Sequence, residues 1–334
     1  MRRDRKVREA DASPSATQSR WRHRPLTFWR VFQGAIYASL DHDCLTVAQA
    51  TAYSAMVALF PALIVSAAVV ALLPDTLPFR VQMALFFGRI LPSNVSPLLE
   101  GYFETTHKNP QTAHALIGSL VVSVTGAASV MATLMEGFRR AFDLPLELGS
   151  FWHRRGRALI LVPLSLLPMC AASVLVVFGH LLTQWIGNQF PPDVRMPFFV
   201  LAFIVRWTVA LAGSVGIIAV VYHLGTDVSK HIREHMAPFL HFRMDWSWRS
   251  SLPGATLATA LWFLTTLLFG LYVTRFANYS QVYGSLGAAI ALMFWLYIIA
   301  LSVLFGAEFN AQLSTQRRRL EQIAAAAIDL SVQP

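Results

Sequence analysis

The apolar positions of this chain run together in long uninterrupted blocks, separated by short polar and basic segments. Six stretches with little or no charge stand out: Leu45–Leu73, His114–Met135, Ala158–Leu182, Pro197–His223, Pro253–Thr274 and Gly284–Ala307. Each is about 20 residues or longer, so as a helix rising about 1.5 Å per residue it is long enough to cross a hydrocarbon layer of about 30 Å. The expected architecture is all-α and polytopic, with six transmembrane helices.

Between the blocks the pattern changes. From Leu26 to Leu40 the residues Phe28, Val31, Phe32, Ala35, Ile36 and Leu40 recur at helical spacing with Arg30 and Gln33 between them. This spacing predicts a helix lying in the membrane interface or docked on the bundle. The segment Pro74–Ala113 holds two proline-bounded pieces with apolar stripes, read as short amphipathic helices on the outer surface. Residues 1–24 are too poor in apolar side chains to pack a core and are expected to be disordered. The expected organisation is a basic tail and interfacial helix over 1–44, a six-helix membrane domain over 45–312, and a C-terminal tail over 313–334.

Composition agrees with this reading. A length of 334 residues would fit two soluble domains, but 55% hydrophobic and only 13% charged residues indicate an integral membrane protein. The first apolar run is longer than the core of about 7–15 residues typical of a cleavable signal, so the first span is expected to stay in the mature chain. The N-terminal tail, the loops after the second and fourth spans and the C-terminal tail hold 21 of the 27 Lys and Arg residues, against five in the loops on the other side. Basic loops are retained in the cytoplasm, so both termini are expected inside.

The net charge of +9 lies mostly beside spans, where it fits anionic lipid headgroups as the expected partner. Nucleic-acid binding is not expected; homo-oligomers or envelope protein partners are compatible with the sequence. The two cysteines, Cys44 and Cys170, fall at a span border and inside a span, with no disulfide framework and no zinc or redox spacing.

Several residues could carry chemistry. Arg206 lies about nine residues inside the fourth span, where an arginine is unfavourable by about 2.5–3.5 kcal/mol unless it faces the bundle or an aqueous cavity and finds a partner. It either binds a substrate anion or snorkels to the outer headgroups; the side chains offered as partners are Asp193, Tyr53 and Gln49. Gln49 and Tyr53 share one face of the first span, and Pro61 removes a backbone hydrogen bond from it, which fits either a cavity or a packing kink. In "MEGFRRAFD", Glu136 and Arg140 are four residues apart with Arg139 beside them, as an ion pair or an anchor for lipid phosphate. The segment "HIREH", His231–His235, matches an H-x-x-E-H zinc-peptidase arrangement but lacks an evident third ligand. No phosphate loop, nucleophile elbow or paired-cysteine site is present in the sequence, so neither an enzyme nor a cofactor is expected.

The last two spans are the most distinctive. Leu252-Pro253-Gly254-Ala255 opens one and Tyr283-Gly284-Ser285-Leu286-Gly287 leads into the next, which continues through Trp295 and Tyr297 to Gly306-Ala307-Glu308. With Tyr272 and Tyr279, and with Ala52-Tyr53 and Phe60-Pro61 in the first span, this pattern resembles the YihY/BrkB family of bacterial inner-membrane proteins, over roughly residues 40–312. The resemblance implies six helices in a bacterial inner membrane, with cytoplasmic termini and no particular reaction. A ribonuclease label attached to some members lacks a matching His-Asp metal cluster here. The ending "YHLGTD" of the fourth span also departs from the Tyr-Arg-x-x-Pro-like ending common in the family.

Glu308 stands at the inner edge of the sixth span, where Gly306 and Ala307 let another helix approach. It is expected either to pair with Arg139 or Arg140 or to act as a gate. Gly284, Gly287, Ala291 and Gly306 are expected to be helix-packing positions. The functional expectation is transport or translocation of an envelope component such as a lipid or amphipathic anion, with a non-transporting structural or regulatory role as the alternative.

Overall fold

The computed structural model describes residues 28–72, 110–144, 151–226, 248–275 and 285–332. Seven α-helices make up nearly all of it, and no strand occurs among the described residues. They are α1 Phe28–Asp41, α2 Cys44–Leu72, α3 Pro110–Ala141, α4 Phe151–Gly187, α5 Pro192–Gly225, α6 Leu252–Arg275 and α7 Ser285–Val332, with a 3₁₀ turn at Trp248–Ser251 before α6.

Among the described residues, five segments are long and apolar enough to cross a membrane: Cys44–Ser66, Leu116–Ala141, Asp193–Gly225, Trp248–Val273 and Ala289–Ile323. The remaining predicted span, Ala158–Leu182, falls within α4, a helix of 37 residues. The chain is a multi-pass, all-α membrane protein. Of the segment Pro74–Ala113, with its two expected amphipathic pieces, residues 110–113 open α3, while residues 74–109, the His231–His235 motif, Tyr283 and Gly284 lie outside the described residues.

Helices form here with few capping devices because the apolar surroundings leave the backbone no better partner than itself. The hydroxyls follow the same logic. Thr51, Thr125, Ser129, Thr133, Thr259, Thr265 and Ser302 each donate to the carbonyl four residues earlier, so these hydroxyls are satisfied within their own helices.

Small residues set the helix spacing. A side chain at Gly126 of α3 would bring its Cβ within 2.6 Å of the Ala58 Cβ on α2, so these helices touch where both are small. The predicted amphipathic helix appears as α1, which packs on α7 through Val31, Ala35 and Phe309. Phe32 meets Phe305 edge to face at 5.3 Å, and Phe28 meets Phe309 at 5.5 Å.

Burial is concentrated at one end of the bundle. Among the described residues, the buried side chains come from α1, the first halves of α2, α4 and α6, the second halves of α3 and α5, and the stretch Ala300–Ala311 of α7. Toward the other end, large apolar side chains such as Val57, Leu120, Leu201, Leu267 and Phe294 are exposed. In a bilayer these would meet acyl chains, whose contact with an apolar side chain is no worse than that of the protein interior.

Candidate functional site

The buried end of the bundle, named the inner junction because the charge count expects it on the cytoplasmic side, is built around one turn of α7. From Gly306 to Ala311 every residue of that helix is buried, because α1, α2, α3 and α6 surround it at this level. A charged side chain placed there has no route to solvent along its own helix.

That side chain is Glu308, which is fully buried. Its Oε1 accepts from His42 Nδ1 at 2.8 Å and from the Cys44 thiol at 3.4 Å. Its Oε2 is buried with no hydrogen-bond partner among the described residues. On the far side of the imidazole, His42 Nε2 lies 3.6 Å from Asp143 Oδ1. His42 therefore stands between two carboxylates, one enclosed and one open to water.

Both turns that hold these groups use aspartate in the left-handed region, which a short polar side chain tolerates better than most. Asp43, at φ 55°, ends α1 and starts α2, and so turns His42 and Cys44 inward. Asp143, at φ 50°, terminates α3. Its N–H donates to the Arg140 carbonyl at 3.0 Å while the Leu144 N–H donates to the Arg139 carbonyl at 2.9 Å, the paired bonds of a Schellman ending.

The sequence points to Arg139 or Arg140 as partner of Glu308; the structure instead gives it His42. The physical reason is the crossing of α1 over α7, which lays the α1–α2 turn on the carboxylate. Arg140 Nε faces Glu136 Oε1 at 3.4 Å on a partly exposed surface, and Arg139 is buried in the last turn of α3.

A second set of contacts joins α6 to the same turn. Asn310 Oδ1 accepts from the Gly254 N–H at 2.6 Å, and its Nδ2 donates to the Ser251 carbonyl at 2.9 Å. One amide thus serves an otherwise unbonded N–H at the start of α6 and closes the turn before it. Tyr222 of α5 donates its hydroxyl to the Val303 carbonyl and stacks edge to face with Phe138 at 5.1 Å.

The midspan region around Arg206 is different. Its guanidinium stands over the Phe203 ring at 5.9 Å, a cation–π contact. Its Nε is buried without an acceptor among the described residues, and so are the indole N–H groups of Trp207 on α5 and Trp262 on α6. Trp207 and Phe263, the neighbour of Trp262, meet edge to face at 6.4 Å, which puts these donors at one level of the α5–α6 contact.

The proposed partners of Arg206 do not reach it. Asp193 is exposed at the start of α5, while Gln49 and Tyr53 point outward from α2. Pro61 sits half-buried in an α2 that continues past it to Leu72. Of the small residues, Gly287 is buried and Ala291 lines an apolar groove of about 570 Å³ between α6 and α7, with Phe269, Tyr272 and Phe294. Trp295 of α7 donates to Thr266 of α6 at 3.3 Å.

His42, Cys44, Asp143 and Asn310 are the residues missed by pattern reading. An available signal was a histidine and a cysteine two residues apart at the edge of a span, together with a single acid inside a packed helix end. Among the described residues, no group of three or more His, Cys, Asp or Glu is placed to share a metal ion.

The chain is 26% identical over 281 residues, 83% of its length and 92% of the other's, to the ribonuclease-like protein YfkH of Bacillus subtilis. It is 27% identical over 289 residues, 85% of each chain, to a UPF0761 membrane protein of Tolumonas auensis. A UPF0761 membrane protein of Rhodospirillum centenum is 28% identical over 305 residues, which cover 89% of this chain and 57% of that one. No solved structure matches. The family described as "Virulence factor BrkB" matches residues 35–329, from within α1 almost to the end of α7 and so across all the contacts just described: the chain belongs to the BrkB family.

Proposed function

We propose that this protein moves an amphipathic anion, of the anionic-lipid class, across a bacterial inner membrane, with both termini in the cytoplasm. The observation that carries the reading is the set of three donors at midspan. Buried N–H groups almost always have acceptors, and those of Arg206, Trp207 and Trp262 have none within the described protein. A guanidinium stacked on a ring face at that depth, with its Nε–H buried and unmet among the described residues, fits an anionic headgroup passing along the α5–α6 contact.

Two further features support it. The exposed apolar side chains toward the outer end of the bundle suit acyl chains, and basic residues cluster beside the inner ends of the spans. The ribonuclease-like name of one relative is that protein's own and adds no residues to this reading.

The test is the purified full chain in vesicles carrying a trace of fluorescent anionic phospholipid, scored by quenching from outside. Wild-type protein is expected to speed exchange between leaflets, Arg206→Leu to abolish the gain, and Arg206→Lys to keep part of it. If wild type moves no lipid, or if Arg206→Leu matches it, the transport reading fails and a structural role in the envelope takes its place.

A further inference from the structure

We infer that Glu308 is a proton-binding site fed from the surface through His42, with Asp143 as the point of entry. It stands on the inner junction alone and holds whether or not the chain moves lipid.

The groups form a graded path. Asp143 has a side chain 80% exposed, His42 one 24% exposed, and Glu308 one with no exposure at all. Each step brings the next group closer to the protein interior, and the imidazole presents one nitrogen to each carboxylate, at 3.6 Å and 2.8 Å. Histidine suits the middle position because its two nitrogens can take and release protons at opposite ends of one ring.

The inner distance is a hydrogen bond, with Nδ1–H donating to Oε1. The outer distance is longer than a hydrogen bond, so the entry step runs through one bridging water or a small closure of the turn. A proton taken up at the Asp143 carboxylate passes to His42 Nε2 while the ring gives its Nδ1 proton to Glu308. The sum is one proton gained by Glu308 and none by the ring, which is left in its other tautomer. Rotation of the ring, or passage of a proton back along the same path, restores it.

The second oxygen of Glu308 explains why the site takes a proton. A buried carboxylate needs its lone pairs filled, and Oε2 meets no partner among the described residues. Adding a proton removes the charge from a group whose acceptor capacity is half unused. The alternative of a bound metal ion finds no third ligand of suitable geometry among the described residues.

The other groups around the site set its electrostatics. From the α1–α2 side come Ser39, whose hydroxyl is committed to the Ala35 carbonyl, and the Cys44 thiol. From α3 come Asp143 and Arg140, the latter paired with Glu136. From α5 comes Tyr222, bonded to the Val303 carbonyl one turn away on α7. From α6 come Ala255 and Ala258, with no titratable group between them. His42 is thus the one described titratable side chain that touches both Glu308 and a solvent-exposed acid.

Infrared difference spectra of the full chain in lipid nanodiscs, recorded after pH jumps, read the site directly. Wild type is expected to show a carboxyl stretching band that gains and loses intensity with pH and is missing in Glu308→Gln. In His42→Gln the response of that band should slow by about 10²-fold, the scale of a lost proton-transfer group. Asp143→Asn, a change at an exposed side chain, should slow it several-fold with the fold intact. If His42→Gln does not fold, the Asp143→Asn rate decides. A Glu308→Gln spectrum superimposable on wild type at every pH overturns the proposal, as does a wild-type response rate in Asp143→Asn or in a folded His42→Gln.

Discussion

Gly254 at the start of α6 and Gly306 on α7 meet backbone to backbone, each lacking the side chain that would collide with the other's carbonyl oxygen. A Cβ on Gly306 would lie 2.5 Å from the Gly254 oxygen, 2.5 Å from the Tyr222 hydroxyl and 2.8 Å from the Ala258 Cβ. None of these is the free end of a flexible chain, so relief requires the helices to part.

Gly306→Ala and Gly254→Ala are therefore expected to lower stability by about 1–3 kcal/mol, read as a fall in melting temperature in detergent. Gly213 and Gly216 in α5 face open space. Alanine there removes the flexibility of a glycine inside a helix and should raise stability by about 0.5–1 kcal/mol. Equal effects at all four positions would contradict the crossing.

Asn310→Ala should cost about 1–3 kcal/mol, since it strips the partner from the Gly254 N–H and the Ser251 carbonyl together. Hydrogen exchange localises the effect: the Gly254 amide is expected to lose protection while amides in the middle of α3 keep theirs. Asn310→Asp retains the acceptor but not the donor, so protection at Gly254 should partly return.

Phe138 is fully buried between Tyr222 and Gly225. Phe138→Ala is expected to destabilise by about 3–5 kcal/mol through the cavity it leaves. Tyr222→Phe removes only one hydroxyl, whose acceptor carbonyl belongs to a helix, and should cost about 1 kcal/mol. Thermal melts of the two variants in one detergent give the order, and a reversed order would mean that the hydroxyl, not the ring, holds α5 to α7.

The two free thiols should separate cleanly. Cys44 is buried against Glu308, whereas Cys170 is exposed on α4 within a predicted span. An apolar maleimide that partitions into the bilayer is expected to modify Cys170 in folded protein and to reach Cys44 only after denaturation. Mass spectrometry of the peptides counts each, and labelling of Cys44 in the folded state would show that the inner junction opens.

The spans and the interfacial helix were legible because each is decided by neighbours in the chain. Leu45 to Leu73 carries no charge from end to end, and α1 shows its stripe within fourteen residues. The midspan Arg206 was legible for the same reason, since depth can be counted from Pro197. The partners were not. His42 and Glu308 are 266 positions apart, and the one local mark on His42, a cysteine two residues on at the edge of a span, does not say which distant residue it meets. Gly306-Ala307-Glu308 could be matched to a family pattern, yet the reason for its glycine lies in Gly254, and the reason for Asn310 two residues on lies in the first turn of α6. Charge counting favoured Arg139 and Arg140 for Glu308, because arginine is the usual answer to a buried acid and packing of α1 across α7 is invisible in composition.

The 48 residues of α7 form one unbroken helix, about 72 Å at 1.5 Å per residue. The α6 contact at Gly306 and the grip of α1 and His42 on Glu308 both fall near the middle of that rod, so it has the form of a lever with its fulcrum at the inner junction. A tilt of about 10° around Gly306 would carry Val332 sideways by about 7 Å, given 1.5 Å of rise per residue. The outer half of the rod, with the groove it shares with α6, would swing the opposite way, so any event that loosens one buried carboxylate is felt at both ends of the molecule.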